Sequence, residues 1–205
     1  MNSSHSFTMT FRRATRLASL VALSALCATP ALADVCVWRD PDKTMARLFP
    51  DARDYLTVTK KMTPAVGQRI EAQLGSRLDD SEKSEFNFYD LRARRNGKAV
   101  SVGTAMALAG RGEYGVIEVV VGLDRSGVIR SVYIQRSRER TNKTIRSEDF
   151  LKQFVGKAVR DPLQFGKDLK RPPGADVATE AVRVTIRKML LFHQELAAEP
   201  AATGG

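Results

Sequence analysis

Lys167-Asp-Leu-Lys-Arg-Pro-Pro-Gly-Ala-Asp-Val-Ala-Thr-Glu-Ala-Val182 is a stiff loop that runs directly into the longest predicted helix. Pro172 and Pro173 restrict the loop, because proline fixes φ and cannot continue a preceding helix. Gly174 then permits a positive φ or a close approach of the backbone to a ligand. Two interpretations of the helix start remain open: Asp176 caps it, or its free N–H groups bind a phosphate.

Short motifs surround this loop in a fixed order between Tyr114 and Leu196. They are Tyr114-Gly115-Val116-Ile117, Val121-Gly122-Leu123-Asp124, Gly127-Val128-Ile129, Phe150-Leu151-Lys152-Gln153-Phe154-Val155-Gly156-Lys157, Asp161-Pro162-Leu163, Asp168, Gly174-Ala175 and Ala181-Val182. As an ordered set they resemble the FMN-binding domain family, which includes the flavin-carrying subunits of the Rnf and sodium-pumping NADH:quinone reductase complexes. The resemblance implies an electron-transfer protein with FMN as its cofactor.

The chain departs from the family at the motif that attaches the flavin. The family links FMN through its phosphate to the last threonine of Asp-x-x-Ser/Thr-Gly-Ala-Thr. Here Lys170 stands at the motif's Asp, Pro173 at its Ser/Thr and Asp176 at the acceptor threonine. A carboxylate cannot form that phosphoester, so we expect non-covalent FMN. The resemblance implies these cofactor-binding residues: Gly174, Ala175, Asp176, Thr179, Lys170, Tyr114 and Glu139.

The first 33 residues have the pattern of a cleaved signal peptide. Arg12, Arg13 and Arg16 precede the twelve-residue apolar stretch 17–28, which is too short to span a bilayer. Ala31-Leu32-Ala33 is a typical cleavage site, so we expect a periplasmic protein that begins at Asp34. The pattern leaves open whether export follows the general or the twin-arginine route.

Charge and composition restrict the partners. The chain has 205 residues, 33 basic and 23 acidic, and the predicted signal holds three of the basic ones and none of the acidic ones. The remainder has a net charge of +7, which favours anionic membranes or acidic redox partners. The predicted export argues against a nucleic-acid partner. We expect a periplasmic or membrane-bound redox partner, with peripheral membrane contact as a further possibility.

Alternating apolar residues predict four strands near 86–91, 99–109, 116–123 and 128–134. Asn96-Gly97 is a strong hairpin signal between the first two. The pattern predicts an α+β fold, with one antiparallel sheet of about four strands and helices packed on one side. The predicted organisation is a signal peptide (1–33), an N-terminal segment packed on the domain (34–84), an FMN-binding-like domain (85–197) and a disordered tail (198–205).

Residue types exclude several chemistries. After signal removal His193 is the single histidine, which excludes histidine-based triads and multi-histidine metal sites within one chain. Cys36 is then the single cysteine, either packed and inert or paired with another molecule. The basic loop 135–146, which contains Glu139, either binds an anion or is simply solvated. Three functions remain: a flavin-binding electron carrier, a flavin-free partner-binding or assembly module, and a small-anion binder.

Overall fold

The computed structural model describes residues 36–197, and it confirms an α+β fold built on one antiparallel sheet. The predictions for the signal peptide and the tail lie outside these residues. The strands, in sheet order, are β1 (Asp54–Lys61), β2 (Glu85–Arg95), β3 (Lys98–Arg111), β4 (Val116–Asp124) and β5 (Ile129–Arg136). The helices are α1 (Pro41–Leu48), α2 (Pro64–Leu74), α3 (Asn142–Ile145), α4 (Glu148–Leu151) and α5 (Asp176–Ala197).

Two tight turns set the register of the central strands. Asn96 and Gly97 both have positive φ, 51° and 74°, and they connect Arg95 to its partner Lys98. This is the conformation that the Asn-Gly pair predicts for a two-residue hairpin. At the β4–β5 turn, the Asp124 carboxylate accepts the N–H groups of Ser126 and Val128 at 2.9 and 3.0 Å. The predicted β2–β3 and β4–β5 connections are confirmed.

The sheet has five strands, so the prediction of about four is close but one short. The extra strand is β1, which pairs antiparallel with β2 over its whole length, from Asp54↔Arg92 to Lys61↔Glu85. The sequence indicates a short strand at 55–59, but its polar residues do not show that it joins the sheet. An edge strand pairs along one side only and is half solvated, so its apolar alternation is weak.

One face of the sheet carries the main hydrophobic core. Met106 and Val121 point from the central strands into this core, where they meet Val182 and Ile186 of α5. Ile70 of α2 is buried in the same core. Apolar residues of α5 recur every three to four positions, as an amphipathic helix requires. The sequence predicts a buried stripe of Ala178, Val182, Ile186, Met189 and Leu190, and all five residues are buried.

The opposite face is also covered, so the prediction that helices pack on one side is wrong. Trp38, together with Met45 and Leu48 of α1, packs against Ala105 and Tyr133 in a second core. The sequence predicts docking of α1 but does not indicate the face. Small residues on β3 leave room for the N-terminal segment, and close packing explains their small size.

The N-terminal segment is fixed by aromatic hydrogen bonds. Trp38 Nε1 donates to the Tyr133 hydroxyl at 2.6 Å, and the Trp38 backbone N–H donates to the Tyr89 hydroxyl at 3.2 Å. Cys36 is partly buried at the margin of this cluster, and Gln135 Nε2 lies 3.8 Å from its sulfur. Each buried polar end therefore has a partner, as aromatic side chains in a core require.

His193 makes the fold sensitive to mild acid. Burial lowers the pKa of its imidazole, and the nearby Asp124 carboxylate opposes that shift only in part. Its ring lies 6.4 Å from the ring of Phe88, and Gly127 approaches it under the β4–β5 turn. The folded state therefore binds the proton less readily than the unfolded state does.

We expect the free energy of unfolding to be constant above about pH 7 and to fall as the pH drops toward 5, because the unfolded state then binds more protons at His193. Urea titrations at pH 7.5, 6.5 and 5.5 measure this slope. The His193→Gln variant serves as the control and should flatten it. An unchanged slope in that variant would assign the pH dependence to other groups.

Candidate functional site

The start of α5 differs by one residue from the predicted cap. Ala175 takes the N-cap role, because its carbonyl accepts the Thr179 N–H at 2.9 Å, and Asp176 is the first helical residue. The Asp176 carboxylate lies 3.6 Å from Arg171 Nε and is largely exposed. Gly174 has the positive φ that the sequence predicts, 70°. The first turn of α5 therefore already holds a carboxylate and its counter-ion.

Thr179 does not suit attachment of a flavin. Its side chain is fully buried, and its hydroxyl donates to the carbonyls of Ala175 and Asp176 at 2.8 and 3.2 Å. A hydroxyl that bonds back to the preceding turn serves the helix itself. A buried hydroxyl is also out of reach of a bulky group that approaches from solvent.

Tyr114 and Glu139 meet in a second group of predicted site residues. The Tyr114 backbone N–H donates to Glu139 Oε1 at 2.8 Å, and the Glu139 side chain is buried. Gly112 permits this contact, since a Cβ there would lie 2.3 Å from the same oxygen. The Arg140 guanidinium stacks 4.6 Å from the centre of the Tyr114 ring. Glu139 therefore supports the β3–β4 hairpin, which explains why it is buried.

Lys170 lies in a separate cleft of about 760 Å³ between the loop and the α4 region. The sequence predicts a flavin site between the sheet and the turn at Gly174, but neither Gly174 nor any strand residue lines this cleft. The side chains and backbone that line it come from two short segments: Ser147, Asp149, Phe150, Lys152 and Gln153, and Gly166, Lys167, Asp168, Leu169, Lys170, Arg171 and Pro172. Its size is that of a site for a small organic molecule.

Gln153 joins the two walls of this cleft. Its amide oxygen accepts the Lys170 N–H at 2.6 Å, and its amide nitrogen donates to the Lys170 carbonyl at 3.2 Å. The side-chain amide thus pairs with the loop backbone as a neighbouring strand would. The Lys170 ammonium plays no part in this pairing. The contact fixes the loop and leaves the lysine side chain at the cleft.

Asp168 holds the other part of the loop. Its carboxylate accepts the Leu163 and Gln164 N–H groups at 3.2 and 2.8 Å and lies 2.9 Å from Lys157 Nζ. Burial alone raises the pKa of Asp168, but the hydrogen bonds from Lys157 and the loop backbone outweigh it and lower the pKa. Asp168 is therefore ionised at neutral pH, and its charge is balanced by Lys157.

The cations around the cleft are not equally available. Lys152 pairs with Asp149 at 2.5 Å, and Arg171 stacks 4.0 Å from the centre of the Phe165 ring. Arg171 also bonds to Glu180 at 3.1 Å. By contrast, Lys167 and Lys170 make no ion pair within residues 36–197. These two ammonium groups can receive an anion without first breaking a contact.

The floor of the cleft is apolar. Phe150 and Leu169 are almost fully buried, and Pro172 closes the lining at the loop end. The sequence indicates Phe150 only as a core residue of a short helix, and it does not point to Lys167 or Gln153 as site residues. The one signal in the sequence is that the motif 150–157, Asp168 and Gly174 all belong to the ordered set that resembles the FMN-binding domain family. The distance between them in space is not readable from the chain.

The seven predicted residues form three local groups in the structure. Ala175, Asp176 and Thr179 share the first turn of α5, which Gly174 precedes. Tyr114 and Glu139 share the hairpin contact, and Lys170 lines the cleft. Within the described part of the chain, no cluster of histidine, cysteine, aspartate or glutamate could hold a metal ion. No helix among residues 36–197 is long and apolar enough to cross a membrane.

Comparison with protein-family models gives no match to this chain, and comparison with the curated proteins gives none either.

Proposed function

We propose that this protein is an exported, periplasmic electron-transfer protein that binds FMN without a covalent bond in the cleft between α4 and the loop before α5. The observation that supports this function is a cleft of about 760 Å³ that combines an apolar floor with two cations, Lys167 and Lys170, which have no ion pair within the described part of the chain. Flavin mononucleotide has the matching chemistry, because it joins a flat apolar ring to a terminal phosphate.

The residues fit non-covalent FMN better than attached FMN. The hydroxyl of Thr179 is buried, and Asp176 offers a carboxylate where the family has its acceptor threonine. At the cleft, Lys167 and Lys170 would hold the phosphate, while Phe150 and Leu169 would contact the ring. Gln153 would keep the two walls in place.

FMN, when bound, supplies the redox chemistry, and the protein binds it, orients it and excludes water. A buried floor shields one side of a flat ring from solvent and so affects the reduction potential through the local polarity. The clamped loop keeps Lys167 and Lys170 on the same wall of the cleft. Preorganised cations bind a phosphate with less loss of side-chain entropy than mobile ones do.

A second function is favoured by the start of α5. Arg171 pairs there with Asp176 and Glu180, so that the helix end where the family places a phosphate is filled by the protein's own charges. Under this alternative the fold is a flavin-free partner-binding or assembly module of a periplasmic redox system. The experiment below distinguishes the two functions.

We expect the purified protein to bind FMN more tightly than riboflavin, and the Lys167→Gln/Lys170→Gln variant to lose that preference with about tenfold weaker FMN binding. Quenching of flavin fluorescence during titration measures both affinities. The matched control is Arg77→Gln/Lys98→Gln, which removes two charges outside the cleft. The intact mass should equal that of residues 34–205 without flavin.

Equal weakening in both double variants would show that the charges act only through the overall field. If the wild type binds neither flavin, the module function takes precedence. The variant that restores the family motif, Lys170→Asp/Pro173→Ser/Asp176→Thr, then tests whether the site can still accept a covalently attached flavin. Failure of that variant to accept flavin from a flavin transferase would show that the site has diverged beyond its motif.

A further inference from the structure

Five exposed arginines lie on or near β5, the edge strand of the sheet opposite β1. We call them the arginine strip: Arg39, Arg47, Arg130, Arg136 and Arg146. Two of them belong to β5, and Arg47 belongs to the last turn of α1, which packs on β5. The fold thus gathers residues from three separate parts of the chain on one surface.

Contacts with the sheet orient the guanidinium groups at the centre of the strip. Arg47 lies 5.1 Å from the centre of the Tyr133 ring, and Arg146 Nη1 donates to the Ile134 carbonyl at 2.6 Å. Partial burial lowers the pKa of Arg146, and repulsion from Arg47 lowers it further. Two like charges therefore repel each other, and their guanidinium groups contact a ring, a carbonyl and the Asn142 amide oxygen, all of them uncharged. An external carboxylate would relieve this repulsion.

The carboxylate inside the strip is shared. Glu118 is buried, and it accepts from Arg39 Nε at 2.7 Å while Arg136 Nη1 lies 3.5 Å away. The hydrogen bond from Arg39 lowers the pKa of Glu118, so the carboxylate is ionised at neutral pH. One negative charge faces two guanidinium groups. Glu118 therefore holds Arg39 and Arg136 in place at this end of the strip.

A shallow cleft of about 510 Å³ continues the strip beyond Arg47. Arg47, Arg95 and Arg130 line it, together with Asp51 and Asp124. Asp124 already accepts two N–H groups of the β4–β5 turn. Three guanidinium groups thus surround a concave surface that contains two acidic side chains, one of which already accepts backbone hydrogen bonds.

The geometry points to docking of the acidic face of a partner protein on the arginine strip, independently of whether FMN is bound. Arginine favours this partner because its planar fork binds carboxylates in pairs. Addition of a partner strand is disfavoured, since Arg146 and Gly156 already use the edge carbonyls of Ile134 and Ile129. A membrane is disfavoured because the segments 41–48, 129–136 and 142–146, which carry four of the five arginines, include no exposed large apolar side chain.

Poly-L-glutamate serves as the probe for this surface. We expect fluorescently labelled poly-L-glutamate to bind the wild type in low salt, and Arg47→Gln/Arg130→Gln to weaken binding about tenfold. The matched control is Lys60→Gln/Lys61→Gln, which removes two positive charges from β1 at the opposite edge of the sheet. The control should weaken binding less than threefold, and circular dichroism should show both variants folded.

Backbone amide shifts locate the contact directly. The shifts caused by poly-L-glutamate should cluster in α1, β5 and residues 137–146. Equal weakening in the two double variants, or shifts spread over both sheet edges, would overturn the proposal and leave only a general attraction between opposite charges. Binding to vesicles of anionic phospholipid without binding to poly-L-glutamate would overturn it in favour of a membrane surface.

Discussion

Replacement of Gly103 by alanine is expected to lower the free energy of unfolding by about 3 kcal/mol. A Cβ at this position would lie 2.4 Å from the Leu123 carbonyl oxygen and 2.4 Å from the Phe49 ring. The ring can move, but the carbonyl belongs to the neighbouring strand β4 and cannot. The clash must therefore separate β3 from β4 or shift the N-terminal segment. Urea unfolding followed by far-ultraviolet circular dichroism measures the loss.

Gly110 provides the control for this result. A Cβ there would lie 2.1 Å from the Thr185 hydroxyl oxygen, which is a side-chain atom. Thr185→Ala should therefore restore much of the stability that Gly110→Ala removes. Phe49→Ala should not restore the Gly103→Ala variant, because the backbone clash persists. Rescue of the Gly103 variant by Phe49→Ala would show that the aromatic ring, and not the strand spacing, limits this site.

Replacement of Lys188 by methionine is expected to cost about 3–5 kcal/mol. Lys188 Nζ lies 2.7 Å from Glu82 Oε2, and the two side chains are 13% and 5% exposed. Without the lysine, Glu82 would keep a buried charge with no strong partner. The cost should exceed that of any exposed ion pair in the molecule, since exposed pairs contribute less than about 1 kcal/mol.

The double variant Lys188→Met/Glu82→Gln tests the origin of this cost. Glutamine is neutral, and its amide oxygen can still accept the Asp79 N–H that Glu82 Oε2 now accepts at 2.9 Å. Most of the lost stability should return, because a buried hydrogen-bonded amide is far less costly than an unpaired carboxylate. A double variant no more stable than Lys188→Met would show that the lysine acts through packing of its alkyl chain.

The elements that sequence reasoning predicts correctly are those with local signals. Asn96-Gly97 specifies its own hairpin. The pair Thr63-Pro64 predicts a helix start, and in the structure the Thr63 hydroxyl caps α2 while Pro64 occupies the first turn. The stripe on α5 likewise repeats within a single helix. In these cases the residues that determine the structure lie within a few positions of each other in the chain.

The features that sequence reasoning misses depend on contacts between distant segments. The strand β1 is polar on its exposed side, and the face that α1 covers is determined by the space above Gly103 and Gly122. At the proposed site, Lys170 is predicted through the family motif. Its partner Gln153 is not predicted, because a side-chain amide that pairs with a loop seventeen positions away has no pattern in the sequence.

The second core joins a segment near the start of the chain to residues that are synthesised much later. The segment that contains Trp38 leaves the ribosome first, but Tyr89 and Tyr133, which fix it, are made about fifty and ninety-five residues later. Until both tyrosines have been made, the segment that contains Trp38 cannot form these two hydrogen bonds. Trp38 is also the single tryptophan of the chain. Its fluorescence therefore reports on the formation of the second core, separately from the core that contains α5.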